Sequence, residues 1–170
     1  MIPHPNPTLA EIHIDSVRIA PIMPGAAVMA EISALAQQLN DLTSIGNPSD
    51  ESITSGSYAL QLSVDVQYVT FGLIDANGIV HRIGVVETTS LRALARSYIT
   101  MINDMASGHL SEGSLATERL TLLDAGRRSL HNEGAEMLQS LLAGSFALNF
   151  AGARLIFAII SHLLAEVQKT

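Results

Sequence analysis

The sequence has no cysteine and a single lysine, and each shortage excludes a kind of chemistry. Without cysteine there can be no thiolate nucleophile, no cysteine metal site and no disulfide. The one lysine, Lys169, is next to the C-terminus, so no lysine in the interior can form a Schiff base or hold a phosphate. Cationic chemistry in the folded part of the chain is therefore left to arginine.

Charge is also scarce, and what there is of it is mostly acidic. Only 15% of the 170 residues are charged, and the formal net charge is -7. Nucleic-acid binding needs a dense Lys/Arg surface, but the longest basic run here is the pair Arg127-Arg128, so we expect no nucleic-acid partner. A mean hydropathy of +0.32 with so little charge favours an apolar face covered by a partner. We therefore expect a homo-oligomer, most simply a dimer.

Two segments bear on where in the cell the protein resides and on whether it spans a membrane. The first seven residues contain three prolines and neither lysine nor arginine, which is unlike a secretory leader, so we expect a cytoplasmic protein. The most apolar run, residues 146–167, is interrupted by polar residues, namely Asn149, Arg154, His162 and Glu166. This interruption favours a buried helix over a membrane span.

Hydrophobic periodicity predicts the order of the elements. Period-two alternation indicates a strand at residues 10–15 and three strands within residues 57–87, and Asn77-Gly78 is typical of a tight antiparallel turn. Three- and four-residue spacing indicates four helices, at residues 26–42, 91–108, 112–142 and 151–169, with Gly126 or Gly134 as the candidate point of interruption in the third. The pattern predicts a single α+β domain over residues 1–170: a small antiparallel sheet, a three-stranded meander plus the N-terminal strand, packed against about four helices. Residues 1–8 are expected to form a flexible tail and residues 43–56 a mobile loop.

The candidate functional residues form a dense polar run within the third predicted helix. Helical spacing places Asp124, Arg127, Arg128 and His131 on one face, with Asp124 and Arg128 in position for an ion pair. In a structural interpretation, Asp124 orders Arg128, and His131 and Glu133 pin adjacent helices together. In a functional one, the arginines hold an anion and His131 transfers a proton, oriented by Asp124 or Glu133. The candidate ligand-binding residues are Arg127, Arg128, His131, Asn132, Glu133 and Arg154, and the candidate catalytic residues are His131 and Glu133.

Metal and cofactor motifs are missing. Ala135 stands where an H-E-x-x-H motif would need its second histidine, and no phosphate-binding glycine loop or nucleophile elbow occurs. His13 and His81 lie in predicted strands and could approach one another across the sheet, although a lone strand histidine is more often a surface residue. Ser129 is near His131 in sequence, but side chains two residues apart on a helix diverge. We expect no metal and no cofactor.

The polar run resembles a pattern of the UPF0262 family of uncharacterised, mostly alphaproteobacterial proteins. That pattern reads I-D-x-G-R-R-x-L-H-N-E-G-x-x-L-L, and residues 123–134 here read L-D-A-G-R-R-S-L-H-N-E-G. Weaker agreement extends over most of residues 56–163. The chain departs from the pattern at Leu155, where the family tends to have a second arginine, and at Ala151, where it tends to have an acid. The resemblance implies a shared fold and supplies no activity.

Two hypotheses about function follow. The first is a non-enzymatic binding or adaptor domain, in which the polar cluster organises the fold or binds an anionic small molecule or a protein partner. The alternative is a small enzyme that uses His131 as general acid or base on an anionic substrate, with Arg128 and Arg154 stabilising negative charge. The enzyme requires a polar run open to a concave site, whereas a scaffold requires one that is buried and internally bonded.

Overall fold

A computed structural model of the chain describes residues 12–20, 25–42, 45–46, 56–108, 114–143, 145 and 147–168. The predicted tail at residues 1–8 and most of the predicted loop at residues 43–56 lie outside these ranges. The strands are β1 (Ile12–Ala20), β2 (Ile45–Gly46), β3 (Gly56–Val64), β4 (Tyr68–Ile74), β5 (Val80–Glu87) and β6 (Ala147–Leu148). The helices are α1 (Ala26–Leu42), α2 (Thr88–Gly108), α3 (Ser114–Leu142) and α4 (Phe150–Gln168). The predicted α+β class is confirmed.

The main sheet is mixed, with strand order β1-β3-β4-β5. β3, β4 and β5 follow one another in antiparallel pairs, but β1 pairs parallel to β3, with Ile12 opposite Gly56. The prediction of a wholly antiparallel meander with an added strand is therefore corrected. The physical reason is the long connection through α1, because a parallel pair needs a crossover, usually a helix, that brings the chain back to the starting end of the sheet. β2 and β6 form a separate two-stranded antiparallel sheet.

The turn between β4 and β5 forms where the sequence predicts it. Gly78 has a φ of 81°, a conformation that favours glycine. The Asp75 carboxylate accepts hydrogen bonds from the backbone N–H of Asn77 at 2.9 Å and of Ile79 at 3.0 Å, and its other oxygen bonds His81 Nε2 at 2.7 Å. These bonds hold the pKa of Asp75 below its usual range, with the His81 bond as the largest cause.

The core lies between one face of the sheet and α4. Buried residues alternate along β4, with Val69, Phe71 and Leu73 facing inward, and residues 156–160 of α4 are fully enclosed. One window of α4, Phe150–Val167, is long and apolar enough to cross a membrane, and 61% of that window is buried inside the protein. α4 therefore packs as the central helix of the core, with α1, α2 and α3 against it.

α3 runs for 29 residues without a break. The predicted interruption at Gly126 or Gly134 is wrong, because both glycines have helical neighbours and serve close packing instead. A Cβ at Gly134 would lie 2.4 Å from the Phe157 ring on α4, and one at Gly126 would lie 2.6 Å from Met101 Cε on α2. Gly134 thus forms a notch that the Phe157 ring fills.

Candidate functional site

The polar run begins with two arginines that share one carboxylate. Asp124 Oδ1 accepts hydrogen bonds from Arg127 Nη2 at 2.9 Å and Nε at 3.2 Å. Its Oδ2 accepts one from Arg128 Nε at 2.8 Å, and Arg128 Nη2 donates to the same oxygen. The expected ion pair of Asp124 with Arg128 is confirmed, with Arg127 as a second partner. These bonds, the one from Arg128 first, hold the pKa of Asp124 below its usual range.

His131 lies one turn further along α3 and points into the protein. Its side chain is 7% exposed, and Nε2 lies 2.5 Å from the backbone carbonyl oxygen of Arg154 on α4. A carbonyl oxygen can only accept, so Nε2 carries the proton and Nδ1 of the neutral ring is an acceptor. The pKa of His131 falls from 6.5 to about 4, mainly because burial penalises the charged form, with Arg154 and Arg127 adding repulsion. His131 is therefore uncharged at neutral pH.

Aromatic side chains surround the His131 ring. The Tyr98 ring on α2 lies 5.3 Å from it, centroid to centroid, and the Phe157 ring on α4 lies 6.4 Å away. Burial raises the pKa of Tyr98, and the positive charge of Arg127 opposes that rise. Sequence reasoning did not assign Tyr98 and Phe157 to the site. Tyr98 lies in the apolar stripe of its helix, and nothing local distinguishes it from an ordinary core residue.

Arg154 is the member of the cluster that has no charged partner among the described residues. It lies in the first turn and a half of α4, and within the described part of the chain no carboxylate forms an ion pair with its guanidinium. Arg154 Nε and His131 Nδ1 are both shielded from solvent without a hydrogen-bond partner. Each orphaned atom costs about 1–3 kcal/mol, so the cluster is only partly satisfied internally.

The remaining candidates point elsewhere. Asn132 and Glu133 are exposed, because residues one and two positions after His131 fall on other faces of the helix. Ser129 is exposed as well. The hydrogen-bond partner that orients the His131 ring is the Arg154 carbonyl, on a helix 23 residues away, rather than Asp124 or Glu133.

The two strand histidines do not come together. His13 is on β1 and His81 on β5, and these are the two outer strands of the four-stranded sheet. Three inter-strand steps of about 4.8 Å separate them by roughly 14 Å, so the suggested approach across the sheet is wrong. Among the residues that the structure describes, no group of three or more His, Cys, Asp or Glu side chains is arranged to hold a metal ion.

Leu155, which departs from the family pattern, lies in the hydrophobic core. Leu155 is 7% exposed and belongs to the hydrophobic core, next in sequence to Arg154. An aliphatic side chain at this position adds to the packing of α4, and only Arg154 presents a guanidinium from this helix.

Comparison with known proteins identifies relatives. The profile of the uncharacterised protein family UPF0262 matches residues 6–166. A UPF0262 protein from Brucella canis is 31% identical over 108 residues, which cover 64% of this chain and 66% of the relative. One from Brucella anthropi is 30% identical over 110 residues, covering 65% of this chain and 67% of the relative. The alignments thus span about two thirds of the length of these curated relatives. No solved structure matches the chain. Because the profile covers nearly all of the sequence, the chain belongs to the UPF0262 family.

Proposed function

We propose that this UPF0262 protein is a cytoplasmic, non-enzymatic binding module that holds an anionic small molecule at Arg127, Arg128 and Arg154. The observation that carries the proposal is the unmatched charge of the cluster. Arg127 and Arg128 share the single carboxylate of Asp124, and Arg154 forms no ion pair with any described residue, whereas the whole chain carries a net charge of -7. A positive patch on an acidic protein attracts anions selectively.

The chemistry of the three side chains fits this role. Guanidinium groups bind carboxylate and phosphate oxygens through paired hydrogen bonds. The Arg128 side chain is 64% exposed and that of Arg127 is 27% exposed, so both can reach a ligand from solvent. Glu31 on α1 is near enough to act electrostatically on Tyr98 but forms no ion pair with these arginines in the described part of the chain.

The enzyme alternative has less support. A general acid or base works best with a pKa near the operating pH, and that of His131 is about 4. Its one free ring nitrogen is shielded from solvent. The neutral ring and its bond to the Arg154 carbonyl are better suited to holding α3 against α4, which keeps the arginines in place.

A thermal-shift and calorimetry screen tests the proposal. The probes are inorganic phosphate, citrate and a nucleoside monophosphate, each against chloride at equal ionic strength. We expect at least one probe to raise the unfolding midpoint of the wild type, and Arg154→Gln to lose that rise. Arg96→Gln is the matched control, because it removes an exposed arginine of α2 with the same change in charge. No rise with any probe, or equal losses in the two variants, would contradict the proposal.

A further inference from the structure

The exposed hydrophobic side chains of this protein are unevenly distributed. Six of the ten large ones in the described residues lie between residues 66 and 85, in and around the β4–β5 hairpin; they are Val66, Tyr68, Ile79, Val80, Ile83 and Val85. Ile83 is 59% exposed and Val85 56% exposed, and both point to the solvent side of β5. Exposed apolar side chains that cluster in this way mark an interaction surface.

β5 is also an outer strand of the sheet, so only one of its edges is paired with β4. Outer strands normally carry charges, prolines or bulges that prevent pairing with other molecules. β1, at the other edge, has an exposed Arg18 and a register shift after Ile14. In β5 the register shift in the pairing with β4 lies near the start of the strand, at His81. The Arg82 side chain donates a hydrogen bond to the Ser145 carbonyl oxygen at 2.9 Å. From Ile83 to Val86 this edge carries no charge.

We infer that β5 pairs antiparallel with β5 of a second copy of the chain, about a twofold axis at Gly84. In this register each Ile83 lies opposite Val85 of the second copy, so two pairs of β-branched side chains meet on the exposed face, a favourable cross-strand combination. A shift of two residues in one direction places Glu87 opposite Ile83. The opposite shift places Val85 opposite His81, where the irregularity of the strand interrupts pairing. The order of residues in β5 therefore selects the register at Gly84.

Charge favours a second copy as the occupant. His81 and Arg82 follow Val80 at the start of β5 and Glu87 ends it, so antiparallel pairing brings the acidic end of each strand beside the end of the other strand that carries these two basic residues. The two copies are both acidic overall and repel at most other surfaces. In the paired strands the two Glu87 residues lie at opposite ends, six residues apart along the strand direction. At about 3.4 Å per residue their separation is roughly 20 Å.

Mass measurement in solution is the first test. Light scattering during gel filtration should give twice the chain mass for the wild type and a single chain mass for Ile83→Glu, with unchanged circular dichroism. Leu122→Glu is the matched control, because Leu122 is 74% exposed but belongs to α3 and not to β5. This variant should remain dimeric. A monomeric wild type overturns the proposal, and so does a dimer that survives Ile83→Glu.

Cross-linking then tests the register, which the lack of native cysteine makes simple. A mixture of Ile83→Cys and Val85→Cys chains should form a disulfide on mild oxidation, because these positions face each other. Either variant alone should cross-link far less, because identical positions would be offset diagonally at about 7–8 Å, near the limit for a disulfide. Preferential cross-linking of Ile83→Cys chains to themselves would overturn pairing about Gly84.

Discussion

Acidification should destabilise this protein through His131, and the size of the effect follows from its burial. The pKa is 6.5 in an unfolded chain and about 4 in the folded protein. Between these values the unfolded state binds more protons than the folded state, so the free energy of unfolding falls as the pH is lowered. Linkage gives a loss of about 2 kcal/mol between pH 7 and pH 5, and of about 3 kcal/mol once the pH is below the folded pKa.

Urea titrations over this pH range, on the wild type and on His131→Gln, measure the effect. Glutamine keeps an N–H that can donate to the Arg154 carbonyl, but it does not titrate. The pH dependence of stability in His131→Gln therefore comes only from the other titratable groups of the protein. The unfolding free energy of the wild type minus that of His131→Gln should fall by about 2 kcal/mol as the pH falls from 7 to 5. Parallel profiles would refute the reasoning, because they would mean that His131 titrates in the folded protein as it does in water.

Three further substitutions test the packing around the cluster. Gly134→Ala should lower the unfolding free energy by about 1–3 kcal/mol, because the new Cβ would lie 2.4 Å from the enclosed ring of Phe157. In contrast, Gly126→Ala meets only the flexible end of a methionine side chain and gains up to about 1 kcal/mol of helix propensity, so urea denaturation should show little loss or a small gain. Equal losses in the two alanine variants would contradict this contrast. Tyr98→Phe removes a hydroxyl group from a buried residue that lies within electrostatic reach of Arg127 and should cost about 1 kcal/mol, whereas an unchanged denaturation midpoint would show that this hydroxyl contributes nothing to stability.

The elements that were predicted well are those with a local signal. The period of the apolar residues placed α1 at residues 26–42, as observed, and Asn77-Gly78 marked the tight turn. The parallel pairing of β1 with β3 has no such signal, because it depends on where a long connection returns the chain. Helical spacing is a local pattern, and it placed Asp124, Arg127 and Arg128 together correctly. The partner of His131 could not be predicted in this way, because it is a backbone carbonyl oxygen on another helix, and every residue has a carbonyl.

The notch at Gly134 has a consequence for how this protein can respond to a ligand. The Phe157 ring of α4 fills the notch on α3, so α3 and α4 cannot slide along one another without a clash between the ring and the backbone of α3. Arg154 is one turn from Phe157 on the same helix and is therefore held at a constant height relative to α3. A bound anion can reorient the guanidinium groups, but the Phe157 ring opposes a shift of α3 against α4, so we expect a response to the ligand to be carried by side-chain movements.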